Sequence, residues 1–303
     1  MTEHHPLGRV VGTSRRFVYF LLGDSPEPLT GTASSRALEA TIGDLIEVEE
    51  RGSEWVVTKV LPAGHRLTRS YRGEIRTIAH NLDHLFIVTA VPPLFNTHAI
   101  DRVLTVAHQQ QIPCTILFNK IDLAPEDTEF ILDPYRAIGT AVLATSAKLN
   151  RGLDKLSAML HDSSMKIAAF TGISGAGKST LLNRLVPGLT QRTGEVSRKT
   201  GQGKQTTSHP IAHLFKRPGM EPALLIDLPG IQNFGVAHLS REEIVASFPE
   251  FRSLKVQCPF DNCSHINEEL CVVKDALETG ELSASRYLSY LGMIEECEEG
   301  KRY

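Results

Sequence analysis

The chain has 303 residues, 41% of them hydrophobic, and a formal net charge of −3 with histidine neutral. That size and apolar content can bury a sizeable core and favour two or three domains over one, while the charge gives no global attraction to nucleic acid, so an RNA partner would need a local basic face. The first residues, Met1-Thr2-Glu3-His4-His5-Pro6, lack a basic segment followed by an apolar core, and no later apolar run is long enough to span a bilayer; the expectation is a cytoplasmic protein with no membrane partner.

From Arg9 to Leu67, short β-rich runs (Phe17–Leu21, Leu45–Val48, Trp55–Val60) alternate with Gly, Ser and Pro breaks, which predicts a small all-β barrel. Arg66, Arg69, Arg72 and Arg76 follow, either as a nucleic-acid face or as solvated surface charge. From about Asp83 the texture changes to compact apolar runs separated by helical stretches, the pattern of an α/β sheet. The predicted strands are Leu85–Ala90, Thr115–Asn119, Ala141–Thr145, Ile167–Thr171 and Ala223–Asp227, with an antiparallel strand near Ile211–Phe215. Between Ala147 and Lys166, the residues Leu149, Leu153, Leu156, Met159 and Leu160 recur at helical spacing. Beyond Leu239 the sequence reads as helical and acidic, apart from a cysteine-bearing loop.

Four motifs fall at the carboxyl ends of the apolar runs, where open α/β sheets place ligands. Gly172-Ile173-Ser174-Gly175-Ala176-Gly177-Lys178-Ser179, with Thr180 next, fits a phosphate-binding loop preceded by a strand. Its backbone N–H groups would close around phosphates at a helix N-terminus, Lys178 would reach the β and γ phosphates, and Ser179 would ligate Mg²⁺. Asp227 of Asp227-Leu228-Pro229-Gly230 would hold Mg²⁺ through its water shell, and the Gly230 N–H would sense the γ-phosphate. An ATPase or a small-molecule kinase can use the same loop. Asn119-Lys120-Ile121-Asp122 decides for guanine, because a carboxylate placed like Asp122 accepts from both N1–H and the exocyclic amine, a donor pair that adenine lacks. Asn119 would brace the loop, Lys120 would cover the base plane, and the Ala147 N–H, beside Ser146, would meet guanine O6.

The guanine-reading motif precedes the phosphate loop, the reverse of an ordinary GTPase, so the expected G domain is circularly permuted and the helix between Ala147 and Lys166 joins its conventional last strand to its first. Ile231 stands where many GTPases carry a water-orienting glutamine, which predicts slow intrinsic hydrolysis. Lys204-Gln205-Thr206-Thr207-Ser208 has the composition of a switch loop whose threonine closes on Mg²⁺ and γ-phosphate, or of a flexible surface loop, and the stretch before it, with Arg192, Arg198, Lys199 and Lys204, reads as a second local basic face or as solvated surface charge.

Cys258, Cys263, His265 and Cys271 crowd into fourteen residues. Three thiolates and an imidazole suit one structural Zn²⁺ per chain; disulfides compete as an explanation, against which a reducing cytoplasm weighs. Cys114 and Cys297 read as free thiols, and His209 and His213 as ordinary polar positions on a strand. His80 and His84 could share a helical face as ligands, but no third ligand accompanies them.

Taken together these motifs resemble the RsgA (YjeQ) family of circularly permuted, ribosome-small-subunit-dependent GTPases. The resemblance includes Ile78-Ala79-His80-Asn81-Leu82-Asp83, Ile100-Asp101-Arg102, Phe234, Gly280-Glu281-Leu282 and Arg286-Tyr287 besides the four motifs and the Cys/His loop. It implies a multidomain α/β chain: an OB-type barrel over 1–70, a circularly permuted P-loop GTPase domain over 71–238 and a helical zinc-binding domain over 239–303. It also implies a monomeric GTP hydrolase in late maturation of the small ribosomal subunit, stimulated by that subunit, with rRNA, GTP and GDP as partners. Lys178, Thr206 and Thr207 would carry catalysis, with Gln205 where the family usually has a histidine. Leu29–Arg36 holds one basic residue where the family's barrel loop is usually rich in them. A non-hydrolysing, GTP-switched RNA-binding assembly factor is the alternative that Ile231 and Gln205 leave open.

Overall fold

Alternating apolar residues in the first sixty positions turn inward on one another: Val10, Phe20, Ile46, Val48 and Val57 are fully buried and form a core of their own. The computed structural model describes residues 5–23, 25–35, 37–71, 74–124, 128–186, 210–231 and 234–300. Strands β1 (Leu7–Thr13), β2 (Val18–Leu22), β3 (Leu29–Ala33), β4 (Leu45–Arg51) and β5 (Glu54–Val60) close into a barrel in the order β1-β2-β3-β5-β4. Only the β3–β5 pair is parallel, the connectivity of a five-stranded OB barrel. A separate hairpin of β6 (Arg66–Tyr71) and β7 (Glu74–His80) follows and carries Arg66, Arg69 and Arg76. Arg36 and Arg72 lie outside the described residues.

The near-continuous apolar runs make a six-stranded sheet in the order β10-β9-β8-β11-β13-β12. Its strands are β8 (His84–Ala90), β9 (Cys114–Asn119), β10 (Ala141–Ala144), β11 (Ile167–Gly172), β12 (Ile211–Arg217) and β13 (Met220–Asp227). All neighbours are parallel except the edge pair β12–β13, as expected for the antiparallel strand. Helix α1 (Thr97–Gln109) starts where the Asn96 side chain accepts from the Ala99 N–H at 3.0 Å, and buries Ile100, Val103, Leu104 and Ala107 at helical spacing. Two short helices, α2 (Asp133–Ala137) and α3 (Leu153–Leu160), precede β11, and α4 (Lys178–Leu185) follows it.

The helix expected between Ala147 and Lys166 is shorter than its periodicity implied. Leu153, Leu156 and Leu160 are its buried stripe, whereas Leu149 is 48% exposed in the turn before it. His80 and His84 share no helix: His80 ends β7, its Nδ1 2.5 Å from buried Asp44 in the barrel, and His84 opens β8, its Nε2 2.8 Å from Thr115 Oγ1.

Beyond the sheet come the helices Arg241–Ala246, Pro249–Lys255, Val272–Glu278 and Ala284–Gly300. Ser240 and Glu243 start the first with a reciprocal capping box. These helices share one continuous hydrophobic core with the sheet. The last is fixed to α1 by Arg286, 2% exposed, whose guanidinium pairs with fully buried Asp101 at 2.6 Å and with Glu250 at 2.8 Å. A second ion pair, Arg102 to Glu296 at 2.8 Å, joins the same two helices.

Candidate nucleotide and metal sites

One side chain gathers the loop expected to read guanine and the loop expected to bind phosphate. Asn119, at the end of β9 and 1% exposed, donates from Nδ2 to the Ala176 carbonyl at 2.8 Å. Its Oδ1 accepts from Thr145 Oγ1 at 3.2 Å and from the Ala147 N–H at 3.1 Å. The Ala147 N–H expected at guanine O6 is thus also part of this brace. Gly177 is pressed against it: φ is +96°, and a Cβ there would lie 2.4 Å from Asn119 Nδ2, so only glycine fits.

Lys120 turns the chain sharply with a left-handed φ of +62°, after which Ile121 donates its N–H to the Thr145 carbonyl at 3.2 Å. This brings Asp122 to Ser146, whose hydroxyl donates to the carboxylate at 2.5 Å and holds its pKa below the usual range. Ser146 Oγ also accepts from the Leu149 N–H at 3.1 Å, so the acceptor pair of Asp122 is oriented from the neighbouring strand end. On the other side of the loop, Arg184 of α4 donates to the Ala147 carbonyl at 3.2 Å.

Gly172 ends β11, and Ser174, Gly175, Ala176 and Gly177 lie in the turn between it and α4, with Ala176 buried and Ser174, Ser179 and Thr180 exposed. Lys178 at the start of α4 pairs with Asp227 at the end of β13, both side chains 12% exposed. Burial lowers the Lys178 pKa to about 8. Asp227 is followed by a pinned turn: the Leu228 N–H donates to the Phe170 carbonyl at 2.8 Å and Thr171 Oγ1 to the Pro229 carbonyl at 2.9 Å. Ile231 is 1% exposed and packs in the main core. Gln205, Thr206, Thr207, Arg192, Arg198, Lys199, Lys204 and His209 lie outside the described residues. His213 of β12 is buried and held largely neutral, its pKa lowered to about 4 by burial first and by the charge of Lys178 second.

The ligand atoms of Cys258, Cys263, His265 and Cys271 lie within 4.8 Å of one another. Zn–S distances of about 2.3 Å and Zn–N of about 2.0–2.1 Å set tetrahedral edges of about 3.8 Å between sulfurs and about 3.6 Å between sulfur and nitrogen. Here Cys263 and Cys271 Sγ are 3.8 Å apart, and His265 Nδ1 is 3.4 Å from Cys271 Sγ and 3.8 Å from Cys258 Sγ. The residues therefore fit one tetrahedral ion. Their loop is bonded to the final helix, where Tyr287 donates to the His265 carbonyl at 2.7 Å and Tyr290 to the Ser264 carbonyl at 2.5 Å. Burial opposes the charge of Glu268, but the Ser264 and Ile266 N–H groups outweigh it and bring its pKa down to about 2. Cys114 opens β9, and Cys297 is buried in the final helix, its thiol donating to the Leu239 carbonyl at 2.9 Å.

Thr145, Thr171, Arg184, Tyr287 and Tyr290 were not singled out by sequence reasoning for these contacts. The two tyrosines, spaced i and i+3 on a predicted helix near the cysteine loop, carried a readable signal.

Residues 60–237 match the profile of a family described as RsgA GTPase. A protein of Carboxydothermus hydrogenoformans named small ribosomal subunit biogenesis GTPase RsgA is 36% identical over 263 residues, covering 86% of this chain and 86% of the relative. Its namesake from Chlorobaculum parvum is 34% identical over 297 residues, covering 91% and 93%. Among solved structures, YjeQ from Thermotoga maritima superposes with a TM-score of 0.75 at 27% identity, over 97% of this chain and 98% of that one. YloQ, described as a circularly permuted GTPase, shares the fold with a TM-score of 0.70 at 24% identity, over 98% and 96%.

Proposed function

The chain belongs to the RsgA GTPase family, and on that premise we propose that it hydrolyses GTP to drive its docking on, and release from, the maturing small ribosomal subunit. The observation that carries this reading is the single Asn119 side chain bonded to both Ala147 and Ala176, which makes one cleft of a base-reading edge and a phosphate loop. In that cleft Asp122, oriented by Ser146, would accept from guanine while Lys120 covers the base. Lys178 would exchange Asp227 for the β and γ phosphates. Freed in that way, Asp227 would join Ser179 in holding Mg²⁺, which neutralises charge on the phosphates when bound. Gly172, Ser174, Gly175, Ala176, Gly177 and Thr180 would surround the phosphates, Gly230 would read the third one, and Gln205, Thr206 and Thr207 would complete catalysis.

The proposed units are 1–70, 71–238 and 239–303; the barrel, the sheet and the terminal helices support a division into three, while the first boundary falls inside the β6–β7 hairpin. The proposed ion at Cys258, Cys263, His265 and Cys271 is Zn²⁺, on the donor set and edge lengths above. A monomer working in the cytoplasm on rRNA completes the reading; among the described residues no helix is long and apolar enough to cross a membrane. The burial of Ile231 favours slow turnover in isolation and keeps the non-hydrolysing assembly factor as the competing reading. Single-turnover GTP hydrolysis with and without purified small subunits decides. Stimulation of about 10³-fold or more supports the enzyme, and none supports its rival.

A further inference from the structure

The loop from Asp227 to Gly230 has a well-defined exit. Beyond it, Ile231 and Phe234 are buried, 1% and 2% exposed, and the Phe234 N–H closes back on the Ile231 carbonyl at 3.0 Å. The next three residues meet two distant parts of the chain. Gly235 exchanges backbone hydrogen bonds with Ser70 of the β6–β7 hairpin, at 2.9 and 3.1 Å, and the Ala237 N–H donates to Ser70 Oγ at 3.1 Å. Between these, the Val236 N–H donates to Glu296 Oε1 of the final helix at 2.7 Å. The other carboxylate oxygen accepts from Arg102 Nε at 3.0 Å and Nη2 at 2.8 Å. No space is left at the junction: a Cβ on Gly235 would lie 2.5 Å from Ser70 Oγ and 2.7 Å from Glu296 Oε1.

We infer that Glu296 is a positioning residue for the γ-phosphate-reading loop, an inference that rests on the nucleotide reading proposed above. The entrance of that loop is held by Phe170 at the Leu228 N–H and by Thr171 at the Pro229 carbonyl, which shares its peptide plane with the Gly230 N–H, so where the exit is held sets how far that peptide can tilt about this one bond. Among the described residues the exit is held by Ser70, largely through backbone, by Arg69, whose guanidinium lies 5.7 Å from the Phe234 ring centroid, and by Glu296, which bonds the Val236 N–H and is itself oriented by Arg102. A charge-assisted bond of this kind is stronger than a neutral one, and its loss lets the exit drift without removing any group that touches the nucleotide. The effect should fall on ligands with a third phosphate and spare those with two.

The test uses the full-length chain, titrated with fluorescent GDP and with a non-hydrolysable GTP analogue. Glu296→Ala should weaken the GTP analogue about ten-fold, equivalent to about 1.4 kcal/mol, and change GDP less than about two-fold. Glu296→Asp keeps the charge but is too short to reach Val236 and Arg102 together, so it should reproduce the selective loss even if the alanine variant folds poorly. Glu296→Gln keeps the length and the acceptor for Val236 but turns an amide NH2 toward Arg102, so it should fall between the parent and the alanine variant; a general packing role predicts no such order. Gly230→Ala serves as the reference for the loop itself. If it separates the two nucleotides while Glu296→Asp affects both equally or neither, the role of Glu296 is overturned alone. If Gly230→Ala also fails to separate them, the γ-phosphate reading of the loop falls and takes this inference with it.

Discussion

Replacing Asn119 by alanine should damage stability and nucleotide binding together. The side chain is 1% exposed and makes three hydrogen bonds across three loops. The Thr145 hydroxyl can rotate toward another acceptor, but the Ala176 carbonyl and the Ala147 N–H are held by their backbones and would be left without this partner. At about 1–3 kcal/mol for each buried group left unpaired, the pair sets a loss of about 3 kcal/mol. For a unit of this size that lowers the melting temperature by about 6–12 °C. The same energy, felt as displacement of the base-reading and phosphate loops, weakens GDP binding by about 100-fold. Thermal melts without nucleotide, paired with titration of fluorescent GDP, measure both. Asn119→Asp should rescue neither, since a carboxylate still accepts from Ala147 but faces the Ala176 carbonyl with no proton to donate. Weakened nucleotide binding with an unchanged melt would refute the bracing role and leave Asn119 as a base contact only.

Asp122→Asn should shift preference from guanine toward xanthine, because an amide offers a donor where the carboxylate accepted; competition between GTP and XTP reads this, and unchanged GTP affinity would remove Asp122 from base recognition. Metal analysis should find one zinc per chain, and Cys258→Ser with Cys263→Ser should release it and lower the melt, since structural zinc contributes folding energy directly. Acidification should also destabilise the fold. His84 and His213 have pKa values pushed from 6.5 to about 4 by burial, so the unfolded chain takes up their protons first. Stability present above about pH 6.5 is therefore lost toward pH 4, at up to about 1.4 kcal/mol per pH unit for each histidine. Denaturant melts at about pH 7 and about pH 5 should show the slope, and His84→Gln should flatten it.

What the sequence revealed depended on how far apart the cooperating residues stand. The sheet was legible because a strand buried on both faces is an apolar run, and the ligand loops because they end such runs. The cysteine site was legible because its ligands crowd into one loop. The limits of α3 were not: Leu149 keeps the helical spacing but lies in a turn bonded to Ser146, where a local side-chain hydrogen bond overrides periodicity. Arg286 and Asp101, 185 positions apart, and Glu296 and Val236, 60 apart, leave no local period at all. Those pairs join the terminal helix to the nucleotide unit, so what remained hidden was chiefly how the parts are connected.

The placement of Ile231 turns a missing residue into a property of the fold. As a bare sequence difference, isoleucine in place of a water-orienting glutamine could be repaired by one substitution. In the structure its side chain is 1% exposed and packed with Phe234 in the main core, one step from a turn pinned by Phe170 and Thr171. A glutamine there would bury an amide in place of hydrocarbon, at about 1–3 kcal/mol if unpaired, and would orient no water unless the loop rotated out of its packing. Ile231→Gln should therefore lower the melting temperature and leave intrinsic hydrolysis within about three-fold of the parent, a small change beside the 10³–10⁵-fold supplied by positioning and charge stabilisation in related GTPases. Single-turnover assays without ribosomal subunits read the rate. A gain approaching that range would mean that the side chain turns toward the nucleotide, and that slow turnover comes from the missing amide rather than from the packing of the loop.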